Sequence, residues 1–265
     1  MNELSQGQIY YLNKQRRRKK IVRFSRAAIL LGFLFLWEFT ANTGIIDSFI
    51  FSSPSRIALC LRDMILDGSI FLHIGVTLYE TLLSFALVII LSLIIAILLW
   101  FSPGLSEVLD PYLVILNSLP KSALAPLLIV WLGANKTTII VAGMSVAIFG
   151  SILNLYANFV TVDPDKLTLI YTLHGNRFHA LTKVVIPSCI PAIISTMKVN
   201  IGLCLVGVVI GEFIGGREGL GYMIIYGSQI FKLDLLILSI CILCFIALGL
   251  YGIISAVEKY CLKKR

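Results

Sequence analysis

The sequence predicts an all-α integral membrane protein of about six transmembrane helices, with one ordered hairpin projecting on the cytoplasmic side. Three observations predict it. Of the 265 residues, 58% are hydrophobic and only 14% charged, and the mean hydropathy is +0.94, so most of the chain has hydrocarbon as its solvent. Apolar runs recur that can cross a bilayer core about 30 Å thick, which takes roughly 20 residues at 1.5 Å each. Finally, Lys and Arg are divided unequally among the segments between those runs. No linker, low-complexity tract or internal repeat interrupts the pattern, which predicts one membrane domain over about 27–258. A basic segment, 1–26, precedes it and a basic tail, 259–265, follows.

Lys14, Arg16, Arg17, Arg18, Lys19, Lys20, Arg23 and Arg26 stand immediately before the first apolar run, a flank that stays with the anionic cytoplasmic leaflet. No small-x-small cleavage site follows Trp37, so the first span, about 24–43, is read as retained. The later spans are expected at about 75–100, 111–132, 137–158, 193–214 and 234–257. An even number returns the C-terminus to the cytoplasm, where Lys259, Lys263, Lys264 and Arg265 sit. With Lys166, Arg177, Lys183 and Lys198, the inner side then holds sixteen Lys and Arg. The outer side holds five: Arg56, Arg62, Lys136, Arg217 and Lys232. This is the positive-inside asymmetry, and it explains the net charge of +8 without nucleic acid as a partner.

The topology puts residues 159–192 in the cytoplasm. Asp163-Pro164-Asp165 reads as a helix start, with carboxylates at the positive helix end. A turn is expected at Gly175, then a short helix, and Pro187 and Pro191 are expected to stop it and aim the chain back into the membrane. This is a compact docking hairpin, not slack chain.

Polar residues at bilayer depth are candidates for a translocation path, because a charge there costs a few kcal/mol even on lenient scales. Glu80 shares one face of the second span with Thr77, Thr81 and Ser84. It either faces the path or satisfies a neighbouring helix near the outer mouth. Lys121 stands in the third span beside Pro120 and a turn before Pro126. It either lines the path, where it would attract an anion, or snorkels to the interface. Glu212 closes the fifth span in a glycine-dense outer turn, where a structural role outweighs solute contact; Gly202, Gly207, Gly211, Gly249 and Gly252 are expected at helix contacts. The six cysteines are scattered, mostly in apolar runs, and form neither a disulfide framework nor a metal set. His73, His174 and His179 are split between opposite faces, and His174 and His179 read as surface groups. No phosphate-binding loop, Ser-His-Asp or His-Glu-x-x-His pattern is present, so no enzyme chemistry is expected of this chain.

Several segments in colinear order carry a family resemblance: Leu36-Trp37-Glu38 with Ser52-Ser53-Pro54-Ser55, Asp110-Pro111 with Leu119-Pro120-Lys121-Ser122-Ala123, and Pro126-Leu127. Trp131-Leu132-Gly133, Asn154, Thr172-Leu173 through Pro187, and Gly211-Glu212-Phe213 with Gly219-Leu220-Gly221-Tyr222 continue the series. The chain resembles the permease subunit of bacterial binding-protein-dependent ABC importers, in the group of nitrate, taurine, alkanesulfonate and thiamine-precursor permeases. The resemblance implies an inner-membrane location, a second permease copy and an extracytoplasmic solute-binding protein. It also implies a separate ATPase dimer that uses ATP and Mg, while this chain binds no cofactor or metal itself. In such permeases a cytoplasmic motif carries the helix that enters the ATPase. Aligned on Pro187, its Glu-Ala-Ala falls on Thr168, Leu169 and Ile170, and its glycine on His174, so the acidic residue is missing here. The implied coupling residues are Thr168, Leu169, Thr172, His174, Gly175, Asn176, Arg177, Lys183 and Pro187. Many members resembling this chain carry arginine where Glu80 stands and glycine where Ser84 stands, so a neutral or partly cationic cargo fits better than a sulfonate or nitrate. An ion-gradient-driven transporter is the alternative; it would show inverted repeats or broken helices with paired intramembrane carboxylates.

Overall fold

The computed structural model describes residues 6–263, with side chains over 14–260 except at 16. The chain divides into two compact units, 1–63 and 64–265. The ends of the two expected basic flanks, 1–5 and 264–265, lie outside the described residues.

In the first unit, α1 (Gln6–Asn42) is followed by the short α2 (Ser48–Phe51) and by α3 (Pro54–Leu66), which runs into the second unit. Glu38, near the end of α1, accepts the Ser55 amide at 3.0 Å and the Ser55 hydroxyl at 2.8 Å. The Leu36-Trp37-Glu38 and Ser52-Ser53-Pro54-Ser55 segments therefore meet, with a carboxylate at the positive start of α3. The expected first span falls on α1 and is helical, but α1 is not among the helices long and apolar enough to cross a membrane. Arg26 and Glu38 bracket an uncharged run, 27–37, that extends only about 16 Å at 1.5 Å per residue.

The second unit is built on α4 (Ser69–Phe101), α7 (Lys136–Val160) and α10 (Ile186–Gly215), which pack on one another. Small residues let α7 and α10 approach closely: a Cβ on Gly207 would lie 2.8 Å from the Gly143 Cα and 2.9 Å from the Ala142 carbonyl oxygen. Polar pairs cross the same seam. The Asn200 amide donates to the Ser151 hydroxyl, and that hydroxyl to Ser92, each at 2.9 Å, which ties all three helices together away from water. Gly211 also packs against α7, whereas Gly202, Gly249 and Gly252 have no neighbour within 4 Å of a Cβ position, contrary to the packing role expected of them.

Around this core lie α5 (Pro103–Ser118), α6 (Lys121–Leu132), α8 (Pro164–Thr172), α9 (Arg177–Ala180), α11 (Leu220–Gln229) and α12 (Leu233–Lys263). Among the described residues, four helical stretches are long and apolar enough to span: Ser69–Phe101, Lys136–Val160, Arg177–Gly215 and Leu233–Tyr260. The expected third span is a broken pair, α5 and α6, bent by 96°; counted as one span, it brings the number that pass by length and composition among the described residues to five. The break has a local cause. Leu119 precedes Pro120 and is extended (φ −62°, ψ 140°), a conformation that proline imposes and that a helix cannot continue through.

The prolines of the hairpin act differently from expectation. Pro187 and Pro191 do not end the helical stretch, which runs unbroken from Arg177 to Gly215. A π turn (Leu181–Val185) precedes Pro187, which then falls in the first turn of α10, where a missing N–H is tolerated.

Candidate functional site

The expected site residues separate to opposite ends of the second unit. Glu80, Ser84 and Glu212 gather towards one end, and the hairpin occupies the other. Arg177 donates from Nη1 to the carbonyl of Phe101 at 3.0 Å, which fixes the hairpin at the C-terminal end of α4. Glu80 lies 21 residues back along that helix, about 31 Å at 1.5 Å per residue.

At the far end, the start of α11 is capped by side chains from other helices. Its N-cap, Gly219 (φ +102°), has no side chain. Glu212 of α10 accepts the Gly221 amide at 2.6 Å and the Thr77 hydroxyl at 2.7 Å, while Thr77 accepts the Leu220 amide at 2.8 Å. His73 accepts the Gly219 amide through Nδ1 at 3.0 Å. A Cβ on Gly219 would strike the Glu212 carboxylate, and one on Gly221 would lie 2.7 Å from Glu212 Oε2 and 2.9 Å from the Val209 carbonyl oxygen. These glycines admit a carboxylate against the backbone, where the exposed N–H groups and helix dipole favour negative charge.

Glu80 is different. It is fully buried, and neither of its carboxylate oxygens, nor the Thr81 hydroxyl one residue on, has a hydrogen-bond partner. Its principal charged neighbour is the Glu212 carboxylate, to which it can hydrogen-bond only if one of the two carries a proton. Glu80 also forms part of the wall of a cavity of about 420 Å³, whose other polar lining is Asn135, Lys136, Arg217 and Glu218. At the rim, Lys136 and Glu218 are 3.5 Å apart and well exposed. Ser84, a turn further along α4, donates to the Ile140 carbonyl at 3.0 Å and lies against Gly143, which serves the α4–α7 contact.

Lys121 and Pro126 do not join this cluster. Lys121 opens α6 at the bend, donates to the Leu116 carbonyl near the end of α5, and sits 5.1 Å from the centre of the Phe149 ring midway along α7. A cation at a helix C-terminus is well placed for carbonyls the break leaves unpaired. Pro126 lies exposed within α6.

The hairpin is built from two interlocked caps. At the end of α8, the Gly175 amide donates to Ile170 at 2.9 Å and the His174 amide to Tyr171 at 3.0 Å, the paired bonds of a Schellman motif. The left-handed residue is His174 (φ 59°), not Gly175; a Cβ on Gly175 would instead lie 2.7 Å from the Ile170 carbonyl oxygen. Asn176 then caps α9: its side chain accepts the His179 amide at 2.9 Å, and His179 Nδ1 accepts the Asn176 amide at 3.3 Å. The Thr168 and Thr172 hydroxyls turn back onto their own helix backbone. Lys183 is exposed on the π turn and Pro187 partly buried beyond it. Leu169, Leu173 and Phe178 expose 60%, 70% and 61% of their surface, an apolar tip outside the bundle. Beneath them Leu181, Val185 and Cys189 pack against Ala96, Leu155 and Phe159 of α4 and α7.

Sequence reasoning missed Asn135, Lys136, Arg217 and Glu218 as companions of Glu80 in the cavity wall, and His73 as a cap of α11. Only folding brings the α6–α7 loop and the end of α10 to α4. It also missed the reciprocal Asn176–His179 cap, whose three-residue spacing is a local signal. Among the described residues, no three of His, Cys, Asp and Glu converge as metal ligands would.

The family model described as "Binding-protein-dependent transport system inner membrane component" matches residues 89–259. A probable ABC transporter permease protein of Haemophilus influenzae is 32% identical over 87% of this chain and 94% of its own length. A putative aliphatic sulfonates transport permease of Bacillus subtilis is 29% identical over 73% of this chain and 70% of its own, and a formylaminopyrimidine transport permease of Halalkalibacterium halodurans 25% over 72% and 76%. Among solved structures, a chain of an inward-facing MetNI methionine ABC transporter superposes with a TM-score of 0.63 at 14% identity, covering 71% of this chain and 94% of that one, a likeness of fold.

Proposed function

The chain belongs to the binding-protein-dependent transport inner membrane component family, the permease subunits of ABC transporters, and on that premise we propose that it forms the translocation path of an ATP-driven importer. The cargo is a small polar organic solute, of the sulfonate, nitrate or taurine kind or of the pyrimidine vitamin-precursor kind. The subunit sits in the bacterial inner membrane with both termini cytoplasmic and works as a homodimer. An ATPase dimer, using ATP and Mg, engages the 168–187 hairpin, and an extracytoplasmic binding protein delivers the solute.

One observation carries this reading: the hairpin is rigid, tied to the end of α4, and exposes an apolar tip. Leu169, Leu173 and Phe178 are an unusual cost in water and a suitable plug for a groove on a partner. Because Arg177 bonds the last residue of α4, whose other end carries Glu80, a shift of the hairpin acts directly on a helix of the proposed path. Glu80, Ser84 and Glu212 stand at its outer mouth, Lys121 at the α5–α6 bend and Pro126 within α6.

The test is to purify the tagged chain from its membrane and identify its companions by mass spectrometry. The expected result is an ATPase with a phosphate-binding loop, lost when Phe178→Asp charges the hairpin tip. A chain that comes out alone and moves solute in ATP-free vesicles under an ion gradient would overturn the proposal in favour of a secondary transporter, for which the bent α5–α6 pair and the Glu80–Glu212 pair would then be the starting points.

A further inference from the structure

We propose that the inner half of one α7 face, where Asn154 and Ala157 lie exposed between Asn117 of α5 and Thr196 of α10, is the wall of a water-filled passage open on the hairpin side. This deepens the permease reading and rests on it. The first ground is depth. The 25 residues of α7 have their midpoint at 148, so Asn154 stands about 9 Å along the helix from that midpoint at 1.5 Å per residue. With α7 centred in the bilayer, that is well inside a hydrocarbon half-thickness of about 15 Å. Asn117 is deeper still: a Cβ on Gly150 would lie 3.1 Å from its Oδ1, which puts it level with Gly150. Both asparagines are exposed. A carboxamide facing lipid tails gives up its hydrogen bonds to water for nothing, so polar groups at this depth face either protein or a water-filled cavity.

The second ground is the way α6 covers the face. It starts at Lys121, whose Nζ sits 5.1 Å from the centre of the Phe149 ring, and runs back to Leu132, just before α7 begins at Lys136. It packs on both α7 and α10, and Ile129 lies 2.9 Å from the position of a Cβ on Gly215. The outer half of the α7–α10 seam is therefore closed by apolar helix, and the closure ends at the level of Phe149. Beyond that level the side chains change character: Gly150, Asn154 and Asn158 follow one another at four-residue intervals, with Ala157 on the same face. Asn154 is held in place, its Oδ1 accepting from Thr196 Oγ1 and from Asn158 Nδ2, each at 3.0 Å. Small groups leave room for a solute, and carboxamides both donate and accept hydrogen bonds without a fixed charge that would retain it. Lys121 supplies a positive charge at the closed end, and the same face of the second copy completes the wall.

Cysteine labelling of the full-length chain in its membrane, with any partners retained, tests this in a background without native cysteines. Asn117→Cys, Asn154→Cys and Ala157→Cys sample the wall, and Phe245→Cys, at a position 74% exposed midway along α12, samples an apolar face. The probe is 2-sulfonatoethyl methanethiosulfonate, a charged reagent that reacts with thiolates and so requires water at the sulfur. Applied to inverted vesicles, it is expected to modify the three wall variants at least about tenfold faster than Phe245→Cys. Rates equal to that of Phe245→Cys, or a spontaneous disulfide between two copies of Asn154→Cys with no labelling, would overturn the proposal, because lipid or a dry subunit contact would then cover the face. Should Asn154→Cys fail to insert, Ala157→Cys adds only a sulfur on the same face and decides alone. The labelling needs neither ATP nor solute. An importer reading lost for want of a copurifying ATPase is thus distinguishable from a passage lost because the wall stays unlabelled in a complex that keeps its ATPase.

Discussion

Glu212 and Glu80 show how two residues of one type, both buried, take different parts. Glu212 is held by fixed donors at the start of α11, and the glycines at 219 and 221 exist there because nothing larger fits. Gly221→Ala pushes a methyl group onto both that carboxylate and the Val209 carbonyl; a loss of about 1–3 kcal/mol is expected, as for overpacked cores, and a lowered Tm of the purified chain checks it. At the other end, His174 occupies a left-handed position that costs a non-glycine residue about 1 kcal/mol or more. His174→Gly therefore stabilises the hairpin by about that amount, read as slower amide exchange over 164–180. The family-pattern alignment put the glycine at 174, and the backbone agrees with it: histidine here adopts the conformation that glycine adopts at little cost.

Among the elements, the hairpin gains its rigidity from caps and from one long-range bond. Arg177→Ala removes the tie to Phe101 and frees the hairpin from α4; ATPase stimulation by solute should fall several-fold while basal hydrolysis in the assembled complex persists, and unchanged stimulation would count against transmission through α4. The α7–α10 contact depends on bare backbone. Gly207→Val places side-chain atoms where the Gly143 Cα and the Ala142 carbonyl now lie, so the helices must separate; a loss of about 1–3 kcal/mol and a lowered Tm are expected. The α5–α6 break, by contrast, follows from Leu119-Pro120 alone and is stabilised by Lys121 on the freed Leu116 carbonyl.

For the molecule as a whole, the governing feature is the distance between its two polar ends. The 33 residues of α4 extend about 50 Å, more than the roughly 40–45 Å of a bilayer with its headgroups. The hairpin and the Glu80 cavity are thus expected on opposite membrane faces. In a background without native cysteines, Lys183→Cys and Glu218→Cys should react with a membrane-impermeant maleimide from opposite sides, Lys183→Cys only in inverted vesicles. Labelling of both from one side would refute the topology.

Much of this was legible in sequence order. Composition and charge asymmetry identify a membrane chain, and the runs at 75–100, 137–158 and 234–257 lie within α4, α7 and α12, because burial in lipid demands continuous apolar helix. The shared face of Thr77, Glu80, Thr81 and Ser84 was readable because helix periodicity is local. The expected first span is helical in α1, but Glu38 interrupts its apolar run where it caps α3, so the apolar run of α1 falls short of the length and apolarity of the crossing helices. The π turn that carries the chain through Pro187 could not be read from proline alone. By itself, then, the sequence determined a helical membrane chain, because that depends on residue type and near neighbours, and its colinear motifs carried the resemblance to the permease family. Tertiary structure alone decided that Glu212 is satisfied and Glu80 is not, since their partners lie far off in the chain and a carboxylate's role depends on which donors reach it.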